Sequence, residues 1–245
     1  MKLHVLGSSS RGNCYLLQSE KTGEVLVLEA GVNMRQVKIA LGFHLDKVVG
    51  CCITHEHGDH AKYADKFSAA CIPMVMSTGT AEALGIQECW HPTPKHALRL
   101  GGFRILSFPT MHDAAQPCGY LIQHKECGTV LFATDTYYLP NKFAGLNNIL
   151  LECNYDLDIL DRNIEAGIVH PKVRDRIIRS HMSYTTCCET LQANDLSQVN
   201  NIVLLHLSGD NAAPSKFCRG IGDLTGKHTQ FAHKGMSIDF NKTPY

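Results

Sequence analysis

Two β-sheets packed face to face, with helices on their outer sides, are the α/β (α+β) fold that this sequence predicts. Three observations lead there. Short runs of apolar and β-branched residues, separated by Gly- and Ser-containing turns, fill the first part of the chain and its middle. Helical and strand-like patterns then alternate through the last third. No repeat, low-complexity tract or long linker interrupts the 245 residues, so one domain over 1–245 is expected. Strands in runs, followed by alternation, suit sheets layered under helices.

The elements follow in order. KLHVLG (2–7), NCYLLQS (13–19) and EVLVLEAG (24–31) read as strands between turns. VNMRQVKIALG (32–42) has helical spacing and stops at Gly42. KVVGCCIT (47–54) is short and continuously apolar, which marks a buried strand. HAKYADKFSAA (60–70) reads as a helix, IPMVMST (72–78) as a strand and GTAEALG (79–85) as a short helix. GFRILSFPT (102–110), CGYLIQHKE (118–126), GTVLFATD (128–135) and NNILLECN (147–154) make a strand-rich middle. DLDILDRNIEA (156–166), PKVRDRIIRS (171–180) and SYTTCCETLQAND (183–195) are helices with polar starts. NIVLLHLS (201–208) is another buried strand, APSKFCRGIGDLTG (213–226) a last helix, and MSIDF (236–240) a short closing strand.

Composition narrows the function. Hydrophobic residues make up 44% and charged residues 19%, as in an ordinary globular protein. The formal net charge of zero argues against a general positive coat for nucleic acid, though not against a local basic strip. The start, MKLHVLGSSSRGN, lacks the basic and long apolar regions of a signal peptide, and no apolar run is long enough to cross a bilayer. The 11 cysteines are odd in number and none forms a CxxC pair. They read as reduced thiols, many of them small core residues, in a cytoplasmic protein. Histidine, at 14, is frequent and raises the question of metal.

CCITHEHGDHA (51–61) answers it. In extended chain, side chains at i and i+2 point the same way, so His55 and His57 can grip one ion. Asp59 and His60 lie where the chain turns into a helix and can face a second ion. Gly58 lets that turn fold tightly. Imidazole and carboxylate suit zinc, manganese or iron. His112 follows FRILSFPTM, Asp135 follows TVLFAT, and His206 lies in NIVLLHLS. Each stands at the end of a predicted strand, and strand ends of a layered fold can converge on one edge.

This order of motifs resembles the metallo-β-lactamase superfamily, over nearly the whole chain. The resemblance implies a four-layer αββα sandwich of two mixed sheets with two metal ions, Zn²⁺ or Mn²⁺, at one edge. By that likeness His55, His57 and His112 hold one ion, Asp59, His60 and His206 the other, and Asp135 bridges. LGSSSRGNCYLL (6–17), MHDAAQPCGYLI (111–122), LECNYD (151–156), SHMS (180–183) and LLHLSGDN (204–211) look like the YycJ/WalJ-type branch, near RNase Z. That branch is associated with exonuclease activity on DNA. Glu29 stands where the family usually has aspartate.

The resemblance implies a two-metal phosphodiesterase that hydrolyses its substrate with hydroxide held between the ions. Asp59 would orient this hydroxide as well as bind metal. His181 is the candidate acid for the leaving alkoxide, and Glu152 its partner, fixing the ring and keeping it protonated. On a helix, Lys172, Arg176 and Arg179 share a face that can hold a phosphate backbone. Ser208 and Asn211 can donate hydrogen bonds to phosphate, or simply form a turn. DNA is the expected substrate. A cyclic nucleotide is the alternative, favoured by the neutral charge. A non-catalytic metal-binding protein is a third reading, and a homodimer is an open assembly state.

Overall fold

The computed structural model describes residues 1–244. The chain first lays down β1 (Lys2–Gly7), β2 (Cys14–Gln18), β3 (Val25–Leu28), β4 (Val48–Cys52) and β5 (Met74–Val75) in one sheet. It then builds a second sheet from β6 (Leu98–Leu100), β7 (Phe103–Pro109), β8 (Cys118–His124), β9 (Gly128–Ala133), β10 (Leu146–Glu152), β11 (Asn201–Leu205) and β12 (His228–Phe231). Last, β13 (Ser237–Asp239) returns to pair with β1. The helices are α1 (Met34–Ala40), α2 (Gly58–Ala61), α3 (Ala64–Ala69), α4 (Thr78–Leu84), α5 (Leu157–Glu165), α6 (Pro171–Ser180), α7 (Tyr184–Gln192) and α8 (Pro214–Thr225).

Strand direction decides where the loops gather. In the second sheet β9, β10, β11 and β12 are mutually parallel. β7 is antiparallel to β8, and β8 to β9, so β7 runs with β9. The segments after β7, β9, β10, β11 and β12 therefore all leave at the same edge. In the first sheet β3 and β4 are parallel, and two antiparallel steps through β2 make β1 parallel to β3. Its β1, β3 and β4 loops share an edge too. Open sheets offer their ligand sites at such carboxyl ends.

The packing makes four layers. Between the sheets lie Leu3, Val5, Tyr15 and Leu26 of the first, against Phe103, Ile105, Tyr120, Phe132 and Leu150 of the second, all buried. The outer face of the first sheet buries Leu16, Val25 and Val27 with Val37 of α1 and Phe67 of α3. The outer face of the second buries Leu131, Ile149 and Ile202 with Leu191 of α7 and Phe217 of α8. Each large apolar side chain so covered contributes about 1.5–3 kcal/mol. Because β10 is covered on both faces, all seven of its residues are buried. Tyr120 ties the sheets at the ligand edge, donating from its hydroxyl to the Ile53 carbonyl at 2.6 Å.

The helix expected over 60–70 is two short pieces, and it starts earlier, at Gly58. Carbonyls that would continue its ladder are taken from outside. Asp59 O accepts from Asn13 N at 2.7 Å and His60 O from Ala30 N at 2.7 Å. β6 and β12 escaped sequence reading: the first is three residues long, and the second, HTQF, has no apolar run. All 11 cysteines are free thiols, and no helix among the described residues is long and apolar enough to cross a membrane.

Candidate metal centre

Every candidate ligand sits just past a strand of the shared edge. The His55–His60 loop follows β4, His112 follows β7, Asp135 follows β9 and His206 follows β11. Strands end abruptly there. Glu29, Asp135 and His206 have φ of 70°, 48° and 52°. Non-glycine residues in this left-handed region carry strain, and such strain collects at functional sites.

His55, His57 and His112 form the first group, with ligand atoms within 4.8 Å of one another. His112 Nδ1 donates to the Ser180 carbonyl at 2.9 Å, which leaves Nε2 to face the group. That Nε2 lies 3.1 Å from His57 Nδ1. Thr54 Oγ1 lies 2.9 Å from His55 Nδ1, so His55 Nε2 also faces inward, buried and without a hydrogen-bond partner. Burial and the neighbouring His60 hold His55 well below the usual imidazole range. A buried, neutral imidazole nitrogen without a proton partner fits a metal ligand.

Asp59, His60, Asp135 and His206 form the second group. His206 Nε2 is 3.1 Å from Asp59 Oδ2, and His60 Nε2 is 3.2 Å from the same oxygen. Asp135 Oδ2 lies 3.3 Å from His60 Nε2, 3.7 Å from His112 Nε2 and 3.9 Å from His55 Nε2. One carboxylate oxygen thus faces both groups. Burial alone would lower His206, but Asp135 and Asp59 more than reverse it and push it up to about 10. Burial would raise Asp59, yet the His206 and His60 hydrogen bonds hold it well below the carboxylate range. Nitrogen and carboxylate donors grouped this closely fit divalent cations.

Glu152 and His181 meet at the same edge. His181 ends α6 and places Nδ1 2.7 Å from Glu152 Oε1. Glu152 is fully buried, so it is not a solvated strand end. Its Oε2 accepts from Thr136 N at 2.8 Å and Met182 N at 3.2 Å. Burial would lower His181, but the Glu152 carboxylate outweighs it and the ring is held above its usual range. Asp135, Glu152, His181 and His206 also lie close enough to form a third potential ligand group.

A supporting shell lies behind these groups, and the sequence did not announce its two asparagines. Buried Asn13 places Nδ2 3.1 Å from His60 Nε2 and 3.3 Å from Asp59 Oδ2. Asn154 Nδ2 donates to the His206 carbonyl at 2.6 Å. Glu29 is fully buried behind His60, with Oε1 3.5 Å from His60 Nδ1 and Oε2 accepting from Thr54 N at 3.3 Å. The longer side chain at this position therefore still reaches the histidine.

The remaining candidates divide. Ser208 and exposed Arg176 line a cleft of about 720 Å³ with His181 and His206. Arg179 is exposed but outside that wall. Asn211 is buried in the turn: its N donates to Ser208 Oγ at 3.2 Å, and its Oδ1 accepts from Asn163 Nδ2 at 2.9 Å. Arg174 pairs with Asp161 at 2.7 Å.

The chain is similar to known proteins in sequence and fold. Exodeoxyribonuclease YycJ of Bacillus anthracis is 25% identical over 233 residues, covering 86% of this chain and 84% of that protein. The metallo-β-lactamase fold protein YhfI from Bacillus subtilis superposes with a TM-score of 0.72 at 15% identity, covering 97% of this chain and 98% of that one. A diphosphatase of the PhnP family gives a TM-score of 0.67 at 16% identity, covering 98% of each chain. The metallo-beta-lactamase superfamily profile matches residues 9–146, the stretch that carries His55 through Asp135. This chain belongs to the metallo-β-lactamase superfamily, as a metal-dependent hydrolase.

Proposed function

We propose that the protein is a two-metal phosphodiesterase that cuts nucleic acid, a nuclease of DNA-exonuclease type. The pairing of Glu152 with His181 at 2.7 Å carries this reading. An alkoxide leaves phosphorus poorly unless it gains a proton. A buried carboxylate behind an imidazole orients the ring, keeps its proton, and leaves Nε2 to deliver it. The 25% identity to an exodeoxyribonuclease supports the same substrate class.

His55, His57 and His112 would hold one ion, Asp59, His60 and His206 the other, with Asp135 between them. Zinc and manganese both suit these donors. Two such ions, when bound, supply Lewis acidity toward a phosphoryl oxygen and lower the pKa of water toward neutrality. Asp59, with a side chain 20% exposed, is placed to orient the attacking water. Arg176 and Ser208 face the cleft beside His181 and are placed to hold the phosphate. Eleven unpaired thiols suit a reducing cytoplasm.

Metal-loaded protein incubated with single- and double-stranded DNA, RNA and cyclic mononucleotides, with products identified by mass, tests this. Nucleotides released from DNA are expected. Turnover confined to cyclic mononucleotides would move the reading to nucleotide signalling, and no turnover with any metal would leave a binding protein.

A further inference from the structure

A second cavity of about 590 Å³ adjoins the cleft that holds His181 and His206. Ser9, Arg11, Leu207 and Ser208 stand in the walls of both. The loop after β1 therefore stands in the wall between two neighbouring rooms. The far wall of the second is the segment after β12, with Phe231, His233 and Lys234. β12 runs parallel to β11, so this segment leaves the sheet at the edge that also releases His206.

This wall sets aromatic rings beside cations. The Phe231 and His233 rings lie 5.7 Å apart between centroids, tilted by 56°. Phe231 is half-buried, packed against the outer core of the second sheet, and His233 is exposed; both line the cavity. Arg11 and Lys234 are exposed, and neither makes an ion pair among the described residues. No aspartate or glutamate lines this cavity, whereas Asp210 lines the first cleft. Cations beside aromatic rings are the combination that holds single-stranded nucleic acid, by phosphate contact and base stacking.

We infer that the second cavity binds the nucleotides next to the scissile phosphate of a single DNA strand, with bases on Phe231 and His233 and phosphates on Arg11 and Lys234. This rests on the nuclease reading and extends it: the substrate is a strand that spans both rooms. A cyclic mononucleotide has nothing to place in the second room.

The test uses metal-loaded protein and single-stranded oligodeoxynucleotides of increasing length, starting from the dinucleotide. For the wild type, KM should fall as the strand grows long enough to enter the second cavity, then level off. R11Q/K234Q should abolish this gain and flatten the log–log salt dependence of binding by about 1.4, or about 0.7 for each lost phosphate contact. His233→Ala should weaken long strands roughly 5- to 140-fold, the range of one lost stacking contact. R11K/K234R should keep the gain, which separates lost charge from lost folding. Cleavage with one KM at all lengths, or R11Q/K234Q retaining both the gain and the salt slope, would overturn the second cavity as a binding site. Wild type that cleaves no DNA of any length would overturn the nuclease reading itself.

Discussion

Glu152 Oε1 and His181 Nδ1 lie 2.7 Å apart, although 29 residues of chain separate them. The last residue of β10 meets the residue that ends α6, beside His206 and Asp135. A fully buried carboxylate needs such a partner, and the imidazole gains a fixed orientation from it.

His181→Ala should keep its metal and lose activity selectively. Removing a positioned acid costs about 10²–10⁴-fold on an ordinary diester, whose alkoxide needs a proton. A p-nitrophenyl ester should be largely spared, because nitrophenolate leaves unaided. Steady-state kinetics on both substrates decide, and equal losses would show that His181 serves binding or structure instead.

Metal affinity should rise with pH. His206, pushed up to about 10 by Asp135 and Asp59 against its burial, holds a proton near neutrality. A cation must displace that proton, so apparent affinity climbs about tenfold per pH unit for each proton released, until the imidazole is neutral. Calorimetry in buffers of different ionisation enthalpy should record the released protons. Binding that neither releases protons nor varies between neutral and alkaline pH would contradict this electrostatic picture.

Glu29→Gln should weaken metal binding while leaving every predicted ligand in place. The Glu29 carboxylate stands behind His60 at 3.5 Å, and loss of such an outer partner typically costs 10–100-fold in metal affinity. Competition titration against a chelator measures it. Unchanged affinity would reduce Glu29 to a packing role.

Gly31→Ala should destabilise the fold and misplace the ligand loop. A Cβ at residue 31 would collide with the Asp59 carbonyl oxygen, which accepts from Asn13 N at 2.7 Å. Overpacking of this kind costs about 1–3 kcal/mol. Urea unfolding should show that loss, together with weaker metal binding. A variant of full stability would mean that the two segments slide apart freely.

The clustering of these side chains was legible because its chemistry is concentrated. His55, His57, Asp59 and His60 fall within six positions, and His112, Asp135 and His206 each end an apolar run. The layering was legible for the same reason, since runs such as NNILLECN reveal a doubly covered strand. Asn13 and Asn154 were not, because an asparagine in a turn looks the same whether it serves a ligand or the backbone. β12 and its loop were hidden by polar sequence, and only parallel pairing with β11 brings Phe231 and Lys234 to the second cavity. The helical face of Lys172, Arg176 and Arg179 was visible, but not that Arg176 alone of these lines the cleft.

Anomalous diffraction from crystals grown with manganese tests most directly whether seven scattered side chains form one cation-binding edge. Two peaks are predicted, one among His55, His57 and His112, the other among Asp59, His60 and His206, with Asp135 touching both. Peaks elsewhere, or none in protein that manganese and zinc also fail to activate, would contradict it.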